Sequence, residues 1–155
     1  MESEKRYDLI LKTAQRIKLM GVEFCWYLVG DGVLYESLFA QSRNLELDGF
    51  VVFTGYMKNP GALMKKCDLF VLMSEYEGTP VTIDEAAALG VPVLACDVGG
   101  ITDQLKIASR GKVLPSISAE DIVNFDFGKF NVMSDCEFEQ YNDNVQESLK
   151  SIFDR

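Results

Sequence analysis

The stretch LFVLMSEYEGTPVTIDEAAALGVPVLA, residues 69–95, contains the repeating unit from which this chain is built. An apolar run is followed by a polar loop, a segment with helical spacing that stops at Gly90, and a second apolar run. Apolar runs without polar alternation are typical of strands buried on both faces, as in parallel sheets whose connections are helices. The stretch therefore predicts a strand–helix–strand unit.

The same unit recurs along the chain on both sides of this stretch. Helices are predicted over residues 7–20, 34–40, 60–66, 80–89, 101–107 and 138–152, and strands over residues 24–29, 50–54, 69–73, 91–95 and 112–114. Strands that alternate with helices in this way predict an α/β fold, with a doubly wound parallel sheet that helices cover on both faces. The length predicts a single domain over residues 1–155.

The composition excludes several kinds of catalytic and metal-binding site. The chain has no histidine, so by itself it cannot form a Ser-His-Asp or Cys-His catalytic site or a histidine-ligated metal site. The four cysteines show no C-x-x-C spacing, and no D-x-D pair occurs that would hold a divalent cation beside a diphosphate. We therefore expect no metal and no resident cofactor.

Charge and hydropathy restrict the expected partners and location. The net charge of −9 arises within residues 71–155, and an acidic surface repels nucleic acid and anionic lipid. No apolar stretch reaches the length of a membrane span, and the first six residues lack the apolar core of a signal peptide. We therefore expect a cytoplasmic protein that does not bind nucleic acid or insert into a membrane.

The candidate site lies at the loops that follow the strands, because ligands of parallel α/β sheets bind beyond the carboxyl ends of the strands. In the loop after residue 73, Thr79 is placed to cap the next helix and Pro80 to be its first residue. The N–H groups of Val81 and Thr82 would then face this edge of the sheet. With the helix dipole behind them and the Thr82 hydroxyl beside them, they predict a phosphate or diphosphate site.

Two carboxylates flank this predicted anion site. Glu77 precedes the helix and Glu85 lies inside it, so both could accept hydrogen bonds from the hydroxyl groups of a nucleotide-sugar on either side of its diphosphate. For Glu85 a purely structural role is an equal alternative, because the helix dipole alone favours acids near a helix N-terminus. A tight turn is favoured at Gly30, and Gly99-Gly100 fits either a turn or a close approach to a ligand.

Together these residues resemble a known family. Glu77-Gly78-x-Pro80, Glu85-Ala86, Gly90-x-Pro92-Val93 and Gly99-Gly100 occur in the order and spacing of glycosyltransferase family 4, the retaining group 1 glycosyltransferases. The Glu77/Glu85 pair is similar to the E-x7-E motif of that family. The family has the GT-B architecture, in which the active site lies between two Rossmann-like domains. The resemblance implies that this chain is the C-terminal, donor-binding domain, a single nucleotide-sugar-binding unit.

The resemblance also implies roles for individual residues. Glu77 would contact the transferred sugar, Glu85 the ribose of the nucleotide, and the backbone around Tyr56 and Met57 the base. Lys5 would neutralise the diphosphate as it leaves. The remaining donor-binding residues implied are Gly30, Gly78, Thr79, Pro80, Val81, Thr82, Gly99 and Gly100. The family is metal-independent, which agrees with the lack of a D-x-D pair.

Two features of the family are absent from this sequence. One is the N-terminal acceptor-binding domain, and the other is the strand that precedes Lys5 in the family, together with its arginine. Because that strand lies in the middle of the sheet, its absence would leave two inner strand edges without partners. Three alternatives would account for these edges: the sheet closes up, another chain donates a strand, or the sequence is a truncated piece.

The resemblance thus implies the donor-binding half of a transferase that moves a sugar, with retained configuration, from a UDP-sugar or GDP-sugar to an acceptor hydroxyl. This isolated half is expected to be incomplete and inactive. One alternative is a non-catalytic or accessory subunit of a split glycosyltransferase that works by association with a partner chain, and a homodimer or strand exchange also stays open. A nucleotide-sugar epimerase or hydrolase is disfavoured by the lack of histidine.

Overall fold

In a computed structural model, residues 3–108 and 111–126 are described, and helices and strands alternate along them. After a 3₁₀ turn at Ser3–Lys5, the elements are α1 (Tyr7–Leu19), β1 (Trp26–Val29), α2 (Tyr35–Asn44), β2 (Val51–Gly55), α3 (Pro60–Met64), β3 (Phe70–Leu72), α4 (Val81–Ala88), β4 (Val93–Cys96), α5 (Ile101–Ala108), β5 (Gly111–Leu114) and α6 (Ala119–Val123). Every predicted strand is present. The helix predicted over residues 138–152 lies outside the described residues.

The strands are paired in parallel, which confirms the predicted α/β class. β1 pairs with β2, while β3, β4 and β5 form a second sheet with β4 in the middle. All four residues of β4 are buried, as expected for a strand that has a neighbour on each side and helices on each face.

Helices cover both faces of the sheet, and alternate residues of β4 show this. Leu94 and Cys96 pack into an apolar core that they share with α1 and α2. Val93 and Ala95 point the opposite way, into a second core shared with α4 and α5. Successive side chains of a strand point to opposite faces, so the continuous apolar run is explained by two cores rather than one.

A gap between the facing edges of β1 and β3 divides the strands into two sheets, and we call this gap the slot. It holds a cavity of about 730 Å³ whose two sides are formed by residues 24–29 and 66–74. Within the described part of the chain, no ladder of hydrogen bonds joins β1 to β3. The two inner strand edges expected to lack partners are therefore unjoined among the described residues, and the alternative in which the sheet closes up is wrong.

One helix was not predicted. The sequence pattern after residue 115 is weak, yet residues 119–123 form α6, which begins at a capping box. The Ser118 hydroxyl accepts a hydrogen bond from the Asp121 N–H at 3.1 Å, and the Ser118 N–H donates to Asp121 Oδ2 at 2.9 Å. The Ser-x-x-Asp spacing is the signal that marks this helix start. None of the helices in the described residues is both long and apolar enough to cross a bilayer.

Candidate functional site

Most of the residues selected from the sequence lie on loops that follow the strands, while Val81, Thr82 and Glu85 lie in α4 and Lys5 lies in the 3₁₀ turn before α1. At the end of β1 the Gly30 N–H donates to the Gly55 carbonyl at 3.0 Å, which joins the β1 loop to the β2 loop. Gly30 has a φ of +119°, a conformation that L side chains rarely adopt, and the tight turn follows at Gly32, whose carbonyl accepts the Tyr35 N–H at 2.9 Å. Beyond this junction the Tyr56 side chain is 81% exposed and Met57 is partly buried. Both are accessible beside the end of β2.

Lys5 and Glu77 are in direct contact. The Lys5 Nζ lies 2.5 Å from Glu77 Oε1, and the Glu77 side chain is only 10% exposed. The Glu75 N–H donates to the Glu4 carbonyl at 2.9 Å, so the backbone also ties the start of the chain to the loop after β3. Because a lysine ammonium has three donors, Lys5 retains donor capacity beyond Glu77. The two candidate catalytic side chains thus share one location.

Helix α4 begins one residue later than predicted. Its N-cap is Pro80 and its first residue is Val81, so the predictions that Thr79 caps the helix and that Pro80 opens it are wrong. Proline has a φ near −65° both as an N-cap and as the first residue of a helix, so ψ is the angle that distinguishes the two positions. The ψ of Pro80 is 112°, an extended value, so Pro80 is the N-cap. The N–H groups of Val81 and Thr82 still lie in the first turn, where a helix offers no acceptors of its own.

A residue that the sequence analysis did not select supports this helix start. The Gln104 side chain in α5 donates from Nε2 to the Pro80 carbonyl at 3.0 Å, and that carbonyl also accepts the Ile83 N–H at 3.1 Å. Gln104 therefore connects the start of α4 to the neighbouring helix. No local signal could have identified it, because its partner is a backbone carbonyl 24 positions away.

The Gly99-Gly100 pair supports the Glu77 loop. A Cβ placed on Gly99 would lie 2.0 Å from the Glu77 carbonyl oxygen, and the φ of Gly99 is +57°. The Gly100 N–H donates to the Gly78 carbonyl at 3.2 Å. Of the two roles left open for the pair, the turn is present, because the Ile101 N–H donates to the Val98 carbonyl across Gly99 and Gly100 at 3.4 Å. The close approach that the pair makes is to the chain's own Glu77 loop.

The cavity in the slot extends to the first turns of α4. Lys5, Ser74, Thr82 and Glu85 are among the residues that line it. Thr82 and Glu85 are exposed and three positions apart in one helix, so they lie on the same face. This end of the cavity offers the Lys5 cation and the Thr82 hydroxyl to an anion, and the Glu85 carboxylate to hydroxyl groups, while Glu77 contacts Lys5 but is not among the lining residues.

The structure does not bring every candidate to this cavity. Gly30, Tyr56 and Met57 follow the strands of the other sheet and are not among the residues that line it. Gly78 and Thr79 belong to the Glu77 loop, where both are exposed. The candidates therefore form two groups at the carboxyl ends of the two sheets.

Comparisons with known proteins show which family this chain is similar to. The family described as "Glycosyl transferases group 1" matches residues 1–124. A putative glycosyltransferase EpsF of Bacillus subtilis is 37% identical over 93 residues, which are 60% of this chain and 24% of that protein. A lipopolysaccharide 1,6-galactosyltransferase of Salmonella typhimurium is 26% identical over 137 residues, which are 85% of this chain and 37% of that protein.

Solved structures show the same fold. The Anabaena protein Alr3699/HepE, crystallised in complex with UDP, superposes with a TM-score of 0.70 at 21% identity, over 97% of this chain and 46% of that chain. Staphylococcus aureus TarM superposes with a TM-score of 0.71 at 22% identity, over 95% of this chain and 29% of that chain. The chain spans less than two fifths of the two curated relatives named above. The family match covers most of the sequence, and the chain belongs to the group 1 glycosyl transferases.

Proposed function

We propose that this chain is the donor nucleotide-sugar-binding half of a retaining glycosyltransferase of family 4. The observation that carries the proposal is the contact between Lys5 and Glu77 beside the first turn of α4. It places a cation and a largely buried carboxylate near the start of a helix, since Lys5 and Thr82 line the same cavity. The acidic chain would otherwise repel a diphosphate, so these local donors have to supply its binding.

Each end of the donor has a proposed partner. Lys5 and the N–H groups of Val81 and Thr82 bind the diphosphate, and Lys5 stabilises the charge that develops when the sugar leaves. Glu77 accepts hydrogen bonds from the transferred sugar, and Glu85 accepts them from the ribose. Support for this order comes from Glu77 lying in the loop before α4 and Glu85 lying more than one turn into the helix.

The base is proposed to lie against the backbone of Tyr56 and Met57, with Gly30 shaping the neighbouring loop. The exposure of Tyr56 leaves room for a planar ligand there. Gly78, Thr79 and Pro80 supply backbone beside the sugar, and Gly99 and Gly100 hold that backbone in place. The donor binds without a metal ion, and the protein works in the cytoplasm.

In the whole enzyme the sugar passes from a nucleotide diphosphate to an acceptor hydroxyl with retained configuration, and the acceptor is bound by a second domain outside residues 1–155. The galactosyltransferase named above suggests polysaccharide or glycoconjugate biosynthesis as the setting. Since the Anabaena neighbour was crystallised with UDP, UDP is the first nucleotide to test.

Titration calorimetry with UDP, GDP and related nucleoside diphosphates tests the proposal directly. We expect at least one to bind with a dissociation constant on the order of 0.1–1 mM, or about 4 to 5.5 kcal/mol, because half of the site is missing. The matching monophosphate should bind more weakly, and EDTA should change nothing. A complete lack of binding across the panel would contradict the proposal.

The second candidate function is an accessory subunit that associates with a partner chain. The unjoined edges of β1 and β3 favour it, because a complete domain would not leave its inner strands unpaired. This candidate predicts stable association with a second polypeptide and no nucleotide binding. The same titration therefore separates the two functions.

A further inference from the structure

One edge of β2 has no neighbouring strand in the described part of the chain, and we call it the β2 edge. The Trp26 N–H donates to the Phe50 carbonyl at 2.8 Å, so Phe50 turns its backbone groups toward β1. Because these groups alternate along a strand, Val51 and Phe53 turn theirs outward. The Val51 N–H donates to the Leu47 carbonyl at 3.0 Å. The β2 edge therefore offers the Val51 carbonyl and both backbone groups of Phe53 to a partner.

The sequence does little to protect this edge. Soluble proteins normally place charges, prolines or bulges on an outer strand, because its free backbone groups can pair with another chain. Residues 49–57 carry no charged side chain and no proline. The pairing with β1 shifts register only after Phe53, where Val29 is matched to Gly55. A second strand can thus pair with β2 at Phe53, but only over a short stretch.

An aromatic cluster lies over the same part of β2. The Phe53 ring packs edge-on against the rings of Phe39 and Tyr35 in α2, with centroids 5.6 and 5.7 Å apart. Phe39 is nevertheless 42% exposed. Exposed aromatic rings are enriched where proteins contact one another, so this cluster marks a candidate contact beside the β2 edge.

Two opposite charges flank Phe39 on α2. Glu36 and Arg43 are exposed and lie three positions before it and four positions after it, so all three share one face of the helix. The surface pair of Arg43 with Asp48, at 3.9 Å, leaves Arg43 further donors. When two such helices lie antiparallel with Phe39 at the centre, Glu36 of each meets Arg43 of the other. The exposed face of α2 is therefore complementary to a second copy of itself.

The β2 edge has the same symmetry. Asp48 precedes β2 and Lys58 follows it, each five positions from Phe53, and both are exposed. In an antiparallel pairing centred on Phe53, the start of one strand lies beside the end of the other, so Asp48 of each copy meets Lys58 of the other. Since Phe39 packs against Phe53, one two-fold axis can relate the strands and the helices. Although the chain carries a net charge of −9, this surface is balanced in charge.

We propose that the β2 edge and the exposed face of α2 form the interface of a two-fold symmetric dimer between copies of this chain. The Phe53 N–H of each copy donates to the Phe53 carbonyl of the other, as in a hydrogen-bonded pair of an antiparallel ladder. The β1–β2 sheets of the two copies join into one sheet, with the two α2 helices side by side. The interface is isologous, since each residue pair occurs twice.

Residues of this chain outside the described part match the surface less well. Residues 127–155 contain six acids and three bases, whereas the surface has equal numbers of each. Their sequence pattern over residues 138–152 has helical spacing and not the alternation of a strand that would extend a sheet. A second copy matches the surface both in charge and in the position of its free backbone groups.

Sedimentation velocity of the full chain between about 10 µM and 1 mM tests the association, and hydrogen exchange at Phe53 locates it. Because the contact is small, we expect a dissociation constant on the order of 0.1 mM. The variants are Glu36→Lys and Arg43→Glu. Each places like charges opposite one another in both halves of the interface, and an equimolar mixture of the two variants restores opposite charges in both halves.

We expect each variant alone to dimerise roughly tenfold more weakly than the parent, and the mixture to dimerise about as well as the parent. Rescue by mixing also shows that both variants are folded. Glu36→Lys reduces the net negative charge and Arg43→Glu increases it, so overall charge would shift the two variants in opposite directions. Such opposite shifts, without rescue, would overturn the proposal.

Exchange at Phe53 should slow as the fraction of dimer rises. A chain that stays monomeric over the whole range, or dimers that neither variant weakens, would also overturn the proposal. Slow exchange at Phe53 in a monomer would assign the β2 edge to residues of the same chain outside the described part. Since these readouts need no nucleotide, they are independent of the proposed function.

Discussion

Lys5 holds its ammonium group 2.5 Å from the carboxylate of Glu77, although the two residues are 72 positions apart. The pair is unequally exposed, since the Lys5 side chain is 39% exposed and that of Glu77 only 10%. The negative charge of Glu77 is largely removed from water and therefore needs the Lys5 ammonium as its counter-charge. The positive charge of Lys5 is more exposed and depends less on Glu77. Lys5 can reach a ligand in the cavity while it remains bonded to Glu77.

Replacing Lys5 by methionine should weaken nucleotide binding. Lys5→Met keeps most of the apolar stem and removes the cation, so we expect UDP or GDP to bind roughly tenfold or more weakly. Titration calorimetry measures the change. The control is Lys12→Met, since Lys12 lies on the exposed surface of α1, 3.9 Å from Asp8. Equal losses in both variants would show that overall charge, rather than this contact, supports binding.

The two candidate carboxylates should differ in their effect on nucleotide binding. Glu85→Gln removes the proposed acceptor of the ribose hydroxyls, and we expect it to weaken UDP binding roughly tenfold. Glu77→Gln should weaken UDP binding less, because UDP carries no transferred sugar. Asp84→Asn on the same helix is the matched control. If Glu77→Gln and Glu85→Gln weaken UDP binding equally, the assignment of ribose and sugar is wrong.

Gly99→Ala should destabilise the chain more than a comparable glycine change elsewhere. The new Cβ would lie 2.0 Å from the Glu77 carbonyl oxygen at a φ of +57°, so both strain and overlap arise. The control is Gly21→Ala, where φ is +76° and a Cβ would meet nothing within 4 Å. We expect about 1 kcal/mol for the control and roughly 1–3 kcal/mol more for Gly99→Ala. Urea unfolding measures both, and equal losses would contradict the packing argument.

The strands and the fold class could be predicted because most strand residues are apolar and at least partly buried, so the strands read as short apolar runs. β4 shows this most clearly, since all four of its residues are buried. Helix ends were predicted less well. The φ of Pro80 fits both an N-cap and a first helical residue, and only ψ distinguishes the two positions. The hydrogen bond from Gln104 to the Pro80 carbonyl, a contact between distant segments, helps to set that ψ.

The site could be predicted as a set of loops but not as a set of contacts. The position of Glu77 and Glu85 around the start of α4 follows from local spacing along the chain. The Lys5–Glu77 contact and the Gln104–Pro80 bond join distant segments, so no local pattern contains them. The slot could be expected only through the family resemblance, because a missing strand leaves no trace in the composition of its neighbours.

The capping box of α6 should make stability depend on pH in acid. Hydrogen bonds from the Ser118 N–H and hydroxyl to Asp121 Oδ2 lower the pKa of the Asp121 carboxyl below its ordinary value of 3.8. A folded-state pKa below the unfolded one contributes stability that is present above pH 3.8 and is lost as the pH falls through the folded value.

Asp121→Asn removes this titration, so the variant should be less stable than the parent at pH 7 and closer to it at pH 2 to 3. Thermal unfolding across this range gives the difference. Asp48→Asn is the control, because Asp48 is exposed and its carboxylate lies 3.9 Å from Arg43 in a surface pair. A stability gap between parent and Asp121→Asn that stays constant down to pH 2 would show that the carboxylate contributes through helix geometry and not through its charge.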